Sequence, residues 1–555
     1  MNRFLKLLLV GVLIVPWLSL RAASGADHTV PSLVPAPIQM RVGQGSFTLT
    51  SRTRIQAGPG AREEAATLAT ALREPTGLPL PLTDRRPRRN VIELELDPAL
   101  ETSLGREGYR LSVTPDRVTI RASAAAGLFY GGITLRQLFP PAIASATRAA
   151  SPPSDGWQAP AVEIEDFPRF PWRGLLVDPA RHFVPIEFLK RFVDLMALHK
   201  LNSLQLHLTD DQGWRLEIRK HPRLTEVGAV RAESPRPGHR DEGDGTPYGP
   251  FFYTRGEIRE LVHHAAARHV TLVPEIEIPG HFRAALAAYP EYSCTGGPFL
   301  VRTRWGVEPD ILCAGNDRAI DFVRDVLGEV CDLFPGPFIH IGGDEAPRDR
   351  WKNCPRCQAR LQTEGLAHEA QLQTWLNHRL EQFLASRGRR LIGWDEILEG
   401  GLTPGAAVMS WRGTEGGLAA ASAGHDVVMS PTSHCYFDYA QSQAPGEPES
   451  IGGFIPLATV YAFEPVPASL PESKRRHLLG AQGNLWSEYL WEPRDVEYFA
   501  FPRAAALAEV LWSPAEARNY AGFLQRLDVH LRRLDQLGVN YRRLDEAAVG
   551  TPASQ

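Results

Sequence analysis

Two adjacent carboxylates, Asp344 and Glu345, follow the glycines of His-Ile-Gly-Gly at the end of a short apolar run. Like charges placed side by side drive their pKa values apart, which is how acid and base roles are divided. Similar polar clusters end other apolar runs. They read Leu-Leu-Val-Asp178-Pro-Ala-Arg181-His182, Leu-His-Leu-Thr-Asp210-Asp211-Gln-Gly-Trp214 and Pro-Glu275-Ile-Glu277-Ile-Pro-Gly-His281. Further along come Gly-Trp394-Asp395-Glu396, Ser-Trp411-Arg412, Tyr436-Phe-Asp438 and Leu-Trp486-Ser-Glu488. Indoles beside carboxylates and an arginine hold sugar rings, with aromatic faces on C–H surfaces and charges on hydroxyls. Glycoside hydrolysis needs a protonated general acid and a group that stabilises an oxocarbenium-like centre. In the usual scheme the two carboxylates face each other from different strands. Here they are neighbours, so their side chains leave the backbone in different directions. That suits a division in which one protonates the leaving oxygen and the other steers a nucleophile belonging to the substrate.

No single motif carries this reading. Asp210-Asp211 alone reads as a helix cap or an arginine partner, and His281 has an equal claim to be a satisfied loop histidine. Trp394, Trp411 and Trp486 alone would be core aromatics. Glu396 and Arg412 read as a structural ion pair and are set aside. The weight lies in the whole set falling at the ends of apolar runs.

Those runs are the elements that must position the set. From 170 to 513 the sequence repeats a strand–loop–helix rhythm, with runs at Gly174–Val177, Ser203–Leu208, Thr271–Pro274, Phe338–Ile341, Arg390–Gly393, Ala407–Ser410, Asp426–Met429 and His477–Gly480. Most are separated by segments with helical spacing, such as the face of Ile186, Leu189, Phe192, Val193 and Met196. Eight such units predict an α/β fold, a (β/α)8 TIM barrel whose C-terminal strand ends converge on one mouth. Before it, 32–160 reads as a smaller α+β domain. Its expected strands are Val91–Leu96, Tyr109–Val113 and Arg117–Ala122, its helices Ala61–Leu72 and Ala124–Leu138, and a Pro-rich stretch at 152–160 closes it. Ala515–Leu537 reads as a helix closing the barrel within 514–545.

Composition narrows the class. The chain has 555 residues, 43% of them hydrophobic, with twelve Trp and 23 Phe to bury, which excludes a disordered protein. Sixty Lys+Arg against 64 Asp+Glu give a net charge of −4, without the basic footprint of a nucleic-acid binder. Arg3 and Lys6, the apolar run Leu7–Leu20 and the small residues toward Ala26 predict a signal peptide over 1–26. The run is shorter than the roughly 20 residues a membrane span needs. An exported protein, periplasmic or secreted, with no membrane span after cleavage is expected. Of the six cysteines, Cys294 and Cys313 flank a loop open to bridging, and Cys354-Pro-Arg-Cys357 lacks a second ligand pair at similar spacing. A disulfide or free thiols is the expectation there, Cys331 reads as core, and no metal site is expected.

His-Ile-Gly-Gly-Asp344-Glu345, His-Leu-Thr-Asp210-Asp-Gln-Gly-Trp-Arg and Asp-Pro-Ala-Arg181-His together resemble glycoside hydrolase family 20, the β-N-acetylhexosaminidases, over about 32–513. The resemblance implies an exo-acting, retaining enzyme that removes terminal β-linked N-acetylhexosamine without a cofactor. The 2-acetamido carbonyl would attack the anomeric carbon and form an oxazolinium intermediate. Glu345 is implied as general acid and then base, with Asp344 orienting the acetamido group and Tyr436 on its carbonyl oxygen. Arg181, Asp438 and Glu488 would bind hydroxyls, and Trp394, Trp411 and Trp486 would wall the pocket. Asp210 and His281 resemble a supporting pair in which a carboxylate orients a His near the general acid. Glu277 departs from the pattern, where many members carry Asp. Burial beside an Asp344 anion is expected to raise the Glu345 pKa.

Other readings remain open on the residues alone. A lacto-N-biosidase-like enzyme releasing disaccharides would need a wider pocket. A non-catalytic sugar binder would not need the acid, the orienting Asp and the Tyr together. A metal-dependent hydrolase would use strand-end His and carboxylates, yet His182, His207, His281 and His340 form no HxH or HExxH grouping.

Overall fold

The computed structural model describes residues 30–545 except 86 and 150. The expected leader at 1–26 and the tail beyond Asp545 lie outside the described residues. No helix among the described residues is long and apolar enough to cross a membrane.

Eight parallel strands close into a barrel, in the order Trp172–Val177, Ser203–His207, Thr271–Glu275, Phe338–His340, Arg390–Trp394, Ala407–Ser410, Val427–Met429 and Leu478–Leu485. The last strand pairs with the first from Gly480↔Trp172 to Leu485↔Val177, so no edge is left open. Successive residues of a strand point to opposite faces, and the two faces feed separate cores. Trp172, Leu176, Val273, Phe338, Ile392 and Met409 fill the interior, whereas Leu175, Val177, Leu204 and Leu206 join the helix-packed exterior. Ile186–Leu198 buries the face expected of it, including Leu189, Phe192, Val193 and Met196.

Several units depart from the regular rhythm. Only the short 3-10 turn Asp395–Leu398 lies between the fifth and sixth strands. The connection after the second strand instead runs long, with two small hairpins, Thr209–Asp210 with Gly213–Trp214 and Pro235–Arg236 with His239–Gly243, before helix Arg255–Ala266.

Ahead of the barrel lies a seven-stranded sheet in the order Gln39–Thr48, Gln158–Asp166, Tyr109–Val113, Arg117–Ala122, Val91–Leu96, Arg54–Ala57, Leu82–Thr83. Helices Arg62–Thr76 and Ala125–Leu138 pack against it. Gln158–Asp166 corrects the reading of 152–160 as a polar closing segment. Its buried residues Ala159, Ala161, Val162, Ile164 and Asp166 insert it between two other strands, which carries the sheet to Asp166. Helix Tyr520–Gln536 returns to the front of the chain, where Arg533 donates to the Ser32 and Gln137 carbonyls at 2.9 and 2.6 Å.

Candidate active site

The C-terminal ends of the barrel strands surround a cavity of about 720 Å³. Ten of the eleven residues singled out in the sequence line it; Asp210 stands directly behind. The first strand ends in Asp178, whose carboxylate accepts from the Ala180 and Arg181 amides at 2.9 and 3.1 Å. That turn aims Arg181 inward, where its guanidinium donates to Asp178 at 3.1 Å, reaches Asp210 at 2.7 Å and lies 4.0 Å from Glu488. Its carbon Cζ sits 5.3 Å from the Trp486 ring centre.

Below the mouth, the barrel interior turns polar. Glu275 is fully buried and accepts from Gln205 at 2.8 Å and Trp394 Nε1 at 2.8 Å, and contacts the His207 and His340 rings at 2.7 and 3.0 Å. His207 reaches Asp210 with its other nitrogen at 2.8 Å. Burial opposes a charge on His207, but the carboxylates on both sides prevail and raise its pKa to about 10. Glu275 is held well below the usual carboxylate range, because His340 and His207 outweigh its burial. Glu277 differs. Both of its oxygens are buried without a hydrogen-bond partner, and burial beside Asp344 and Glu275 pushes its pKa well up.

The turn after the fourth strand presents the carboxylate pair. Gly342 and Gly343 take φ of 63° and 95°, and Glu345 itself has φ of 44°. Left-handed backbone at a non-glycine residue costs on the order of 1–3 kcal/mol and persists only where the surroundings impose it. A Cβ at Gly342 would lie 1.7 Å from Glu277 Oε2, so the turn closes over Glu277 only because no side chain is there. The two carboxylates then part. Asp344 is half-buried, with a buried Oδ1 lacking a hydrogen-bond partner, while the Glu345 side chain remains 42% exposed toward the cavity. His281, with φ of 45°, stands between them and the second-strand acids. Its Nδ1 lies 3.3 Å from both Asp210 and Asp211, and its Nε2 lies 3.6 Å from Asp344 and 3.5 Å from Glu345. The expected Asp210–His281 pairing is thus present but shared, since Asp211 contributes equally and the shorter contacts of Asp210 go to Arg181 and His207.

The expected direction for Glu345 is corrected. The contact with His281 holds its pKa below the ordinary carboxylate value, outweighing its burial, and it is Asp344 that burial raises. The cause is His281, whose pKa the Asp210 carboxylate lifts well above normal despite desolvation. A charge on the imidazole therefore faces Glu345, which the sequence reading did not include.

The remaining wall is aromatic. Trp394, Trp486, Tyr436 and Trp411 form a continuous surface with ring centres 5.7, 6.5 and 6.1 Å apart in that order. Trp411 is fixed by donating to Glu396 at 2.9 Å. Glu396 thus does more than form the expected ion pair with Arg412. It lies 3.7 Å from Arg412, whose main partners are Asp395 and Glu399, and burial near Asp344 raises its pKa to about 8. Asp438 and Glu488 sit opposite with Oδ1 and Oε2 buried and unpaired, and burial raises both pKa values. Missed in the sequence were His207, visible in His-Leu-Thr-Asp but set aside for lack of a metal motif, and the rim residues Arg240, Arg304, Trp305, Tyr439 and Tyr489. The rim lies on irregular loops, where periodicity gives no signal.

Family models match this arrangement along nearly the whole described chain: the catalytic domain of glycosyl hydrolase family 20 over residues 170–515, and domain 2 of the same family over residues 30–167. The chain belongs to glycosyl hydrolase family 20. A β-hexosaminidase of Porphyromonas gingivalis is 44% identical over 97% of this chain and 68% of its own length. A β-N-acetylhexosaminidase of Cellulomonas fimi is 32% identical over 94% and 98%. Among solved structures, the family 20 β-N-acetylhexosaminidase of Streptomyces coelicolor superposes with a TM-score of 0.80 at 34% identity, over 93% of this chain and 98% of that one. The exo-β-N-acetylglucosaminidase of Vibrio harveyi, solved with N-acetylglucosamine, gives 0.81 at 32% identity over 92% and 78%. The fold is thus the TIM barrel preceded by a smaller domain, and the activity is that of a β-N-acetylhexosaminidase.

Proposed function

We propose that this family 20 enzyme releases single N-acetylglucosamine or N-acetylgalactosamine residues from non-reducing ends, with retention and with the substrate's own acetamido group as nucleophile. The observation that carries this is Asp344. It is a half-buried carboxylate whose Oδ1 is buried and unpaired, beside the wall of Trp394, Trp411, Trp486 and Tyr436. A buried acceptor without a donor costs stability unless a ligand supplies the donor. An acetamido N–H meets Asp344 Oδ1 while its methyl packs on the indoles and its carbonyl oxygen accepts from the Tyr436 hydroxyl. That places the carbonyl to attack the anomeric carbon as the leaving oxygen departs. Asp344, ionised, then stabilises the positive oxazolinium ring. Arg181, Asp438 and Glu488 bind ring hydroxyls, the last two through their unpaired oxygens.

Glu345 protonates the leaving oxygen and afterwards takes a proton from the attacking water. Its own pKa is low in the free site, so the proton is stored in the pair it forms with His281 across 3.5 Å. Sugar binding displaces water around the half-exposed Glu345, which favours moving that proton from the imidazolium to the carboxylate. Asp210 and Asp211 hold the His281 ring in place. The leader over 1–26 supports export, with glycans or oligosaccharides ending in N-acetylhexosamine as substrates.

The test is hydrolysis of 4-nitrophenyl N-acetyl-β-D-glucosaminide and galactosaminide beside the plain β-glucoside, with the first-formed anomer read by NMR. Turnover of the acetamido sugars with β-anomer released first is expected. Comparable cleavage of the glucoside would sink the substrate-assisted mechanism.

A further inference from the structure

Four of the six cysteines, Cys294, Cys313, Cys354 and Cys357, meet at one point outside the cavity, although the chain between the first and last spans the third helix unit and the fourth strand. All four are free thiols with sulfurs within 4.8 Å of one another. Cys294–Cys357 and Cys313–Cys357 are 3.7 Å apart and Cys313–Cys354 is 3.8 Å apart. A tetrahedral zinc with Zn–S bonds near 2.3 Å has sulfur–sulfur edges of about 3.8 Å. A disulfide would bring two sulfurs to about 2 Å and leave the others aside. Here Cys313 and Cys357 each approach two partners equally, so no pairing is singled out. We propose that these four cysteines bind a structural zinc ion that ties the loop after the third barrel strand to the loop after the fourth.

The surroundings are built for such a site. Cys354 caps helix Pro355–Thr363 and Cys357 lies in its first turn, so one short segment presents both sulfurs. A Cβ at Gly315 would fall 2.3 Å from the Arg356 carbonyl carbon and 2.4 Å from the Cys357 nitrogen, so the Cys313 segment reaches the Cys357 backbone only through a glycine. The Arg356 guanidinium donates to the Ser293 carbonyl at 2.9 Å, next to Cys294, and the buried Trp351 indole donates to the Leu312 carbonyl at 2.9 Å, next to Cys313. The Leu312 amide in turn donates to the Pro279 carbonyl at 3.0 Å, two residues before His281. The zinc thus clamps the two loops that present His281 and the Asp344-Glu345 pair, without touching the cavity. The sequence disguises it: one ligand pair is a CxxC, and the other is split between Cys294 and Cys313.

The experiment uses the full chain expressed with its leader and purified without added metal or chelator. Its metal content is read by inductively coupled plasma mass spectrometry and its thiols by titration in denaturant without reductant. About one zinc per chain and six titratable thiols are expected. A folded Cys354→Ser/Cys357→Ser variant should lose the zinc, while Cys331→Ser should keep it. If the double variant fails to fold, the wild-type measurements still decide. Two titratable thiols and no metal would mean two disulfides among the four, and would overturn the proposal. Six thiols without metal, or iron in place of zinc, would overturn it equally.

Discussion

In the proposed mechanism His281 contests the proton that Glu345 gives the leaving group, and the pH profile should report that contest. The pair stays protonated up to the raised pKa of His281, so kcat/KM should fall on the alkaline side well above the ordinary histidine value of about 6.5. His281→Asn removes the partner that stores the proton, and the alkaline limb should then move down toward carboxylate values. An unmoved limb would remove His281 from the proton path. On the same proposal, Asp344 must be ionised to accept the acetamido N–H. Its raised pKa therefore places the acid limb above the usual Asp value, with activity gained as pH rises through it. Asp344→Asn and Glu345→Gln should each lower kcat by about 10²–10⁴-fold with much smaller changes in KM. Azide should restore turnover to Glu345→Ala on a nitrophenyl substrate, where leaving-group protonation matters less. A Glu345→Ala enzyme that stays inert to azide while still binding N-acetylglucosamine would challenge the assignment.

The turn Gly342–Glu345 is the element on which the proposed chemistry depends, and it tolerates little. Gly342→Ala would put a methyl against the buried Glu277 carboxyl at a backbone angle that alanine resists. We expect a stability loss of about 2–4 kcal/mol in urea titrations and a kcat loss comparable to that of Asp344→Asn, because the pair would be displaced. A stable, active Gly342→Ala enzyme would mean the turn has slack the packing does not suggest. In the sequence, the Gly-Gly before the acids was visible, but its reason was not, since Glu277 lies on another strand. The same holds elsewhere. Apolar runs betrayed all eight barrel strands, because buried parallel strands must be apolar at both faces. Gln158–Asp166 escaped notice since Pro160 and its neighbours read as a linker, and nothing local announces that a helix is missing between the fifth and sixth strands. Cavity-lining residues at strand ends were legible; those on the rim, such as Arg304 and Trp305, were placed by long connections that carry no period.

At the scale of the whole molecule, the sheet domain and the barrel are joined by charges buried at the barrel end opposite the mouth. Asp166, the last residue of the inserted strand, accepts from Lys200 at 2.9 Å, from the Tyr109 hydroxyl at 2.6 Å and from the Trp512 indole at 2.9 Å, with none of the four exposed beyond a few per cent. Beside it, Arg173 of the first barrel strand pairs with Glu107 of the sheet domain at 2.7 Å. Removing one partner of a buried pair strands the other charge, a loss of about 3–5 kcal/mol. Asp166→Ala should therefore lower stability by that amount, with Lys200 left uncompensated, while kcat of the folded enzyme stays near wild type because the site lies at the other end of the strands. Since Asp166 bonds both to its own domain and to the barrel, the two should unfold together, and the variant should shift a single cooperative transition. Two separate transitions, with the later one unmoved by Asp166→Ala, would show that the barrel stands without this interface. In that case the sheet domain would be an attachment and not part of what holds the catalytic mouth in shape.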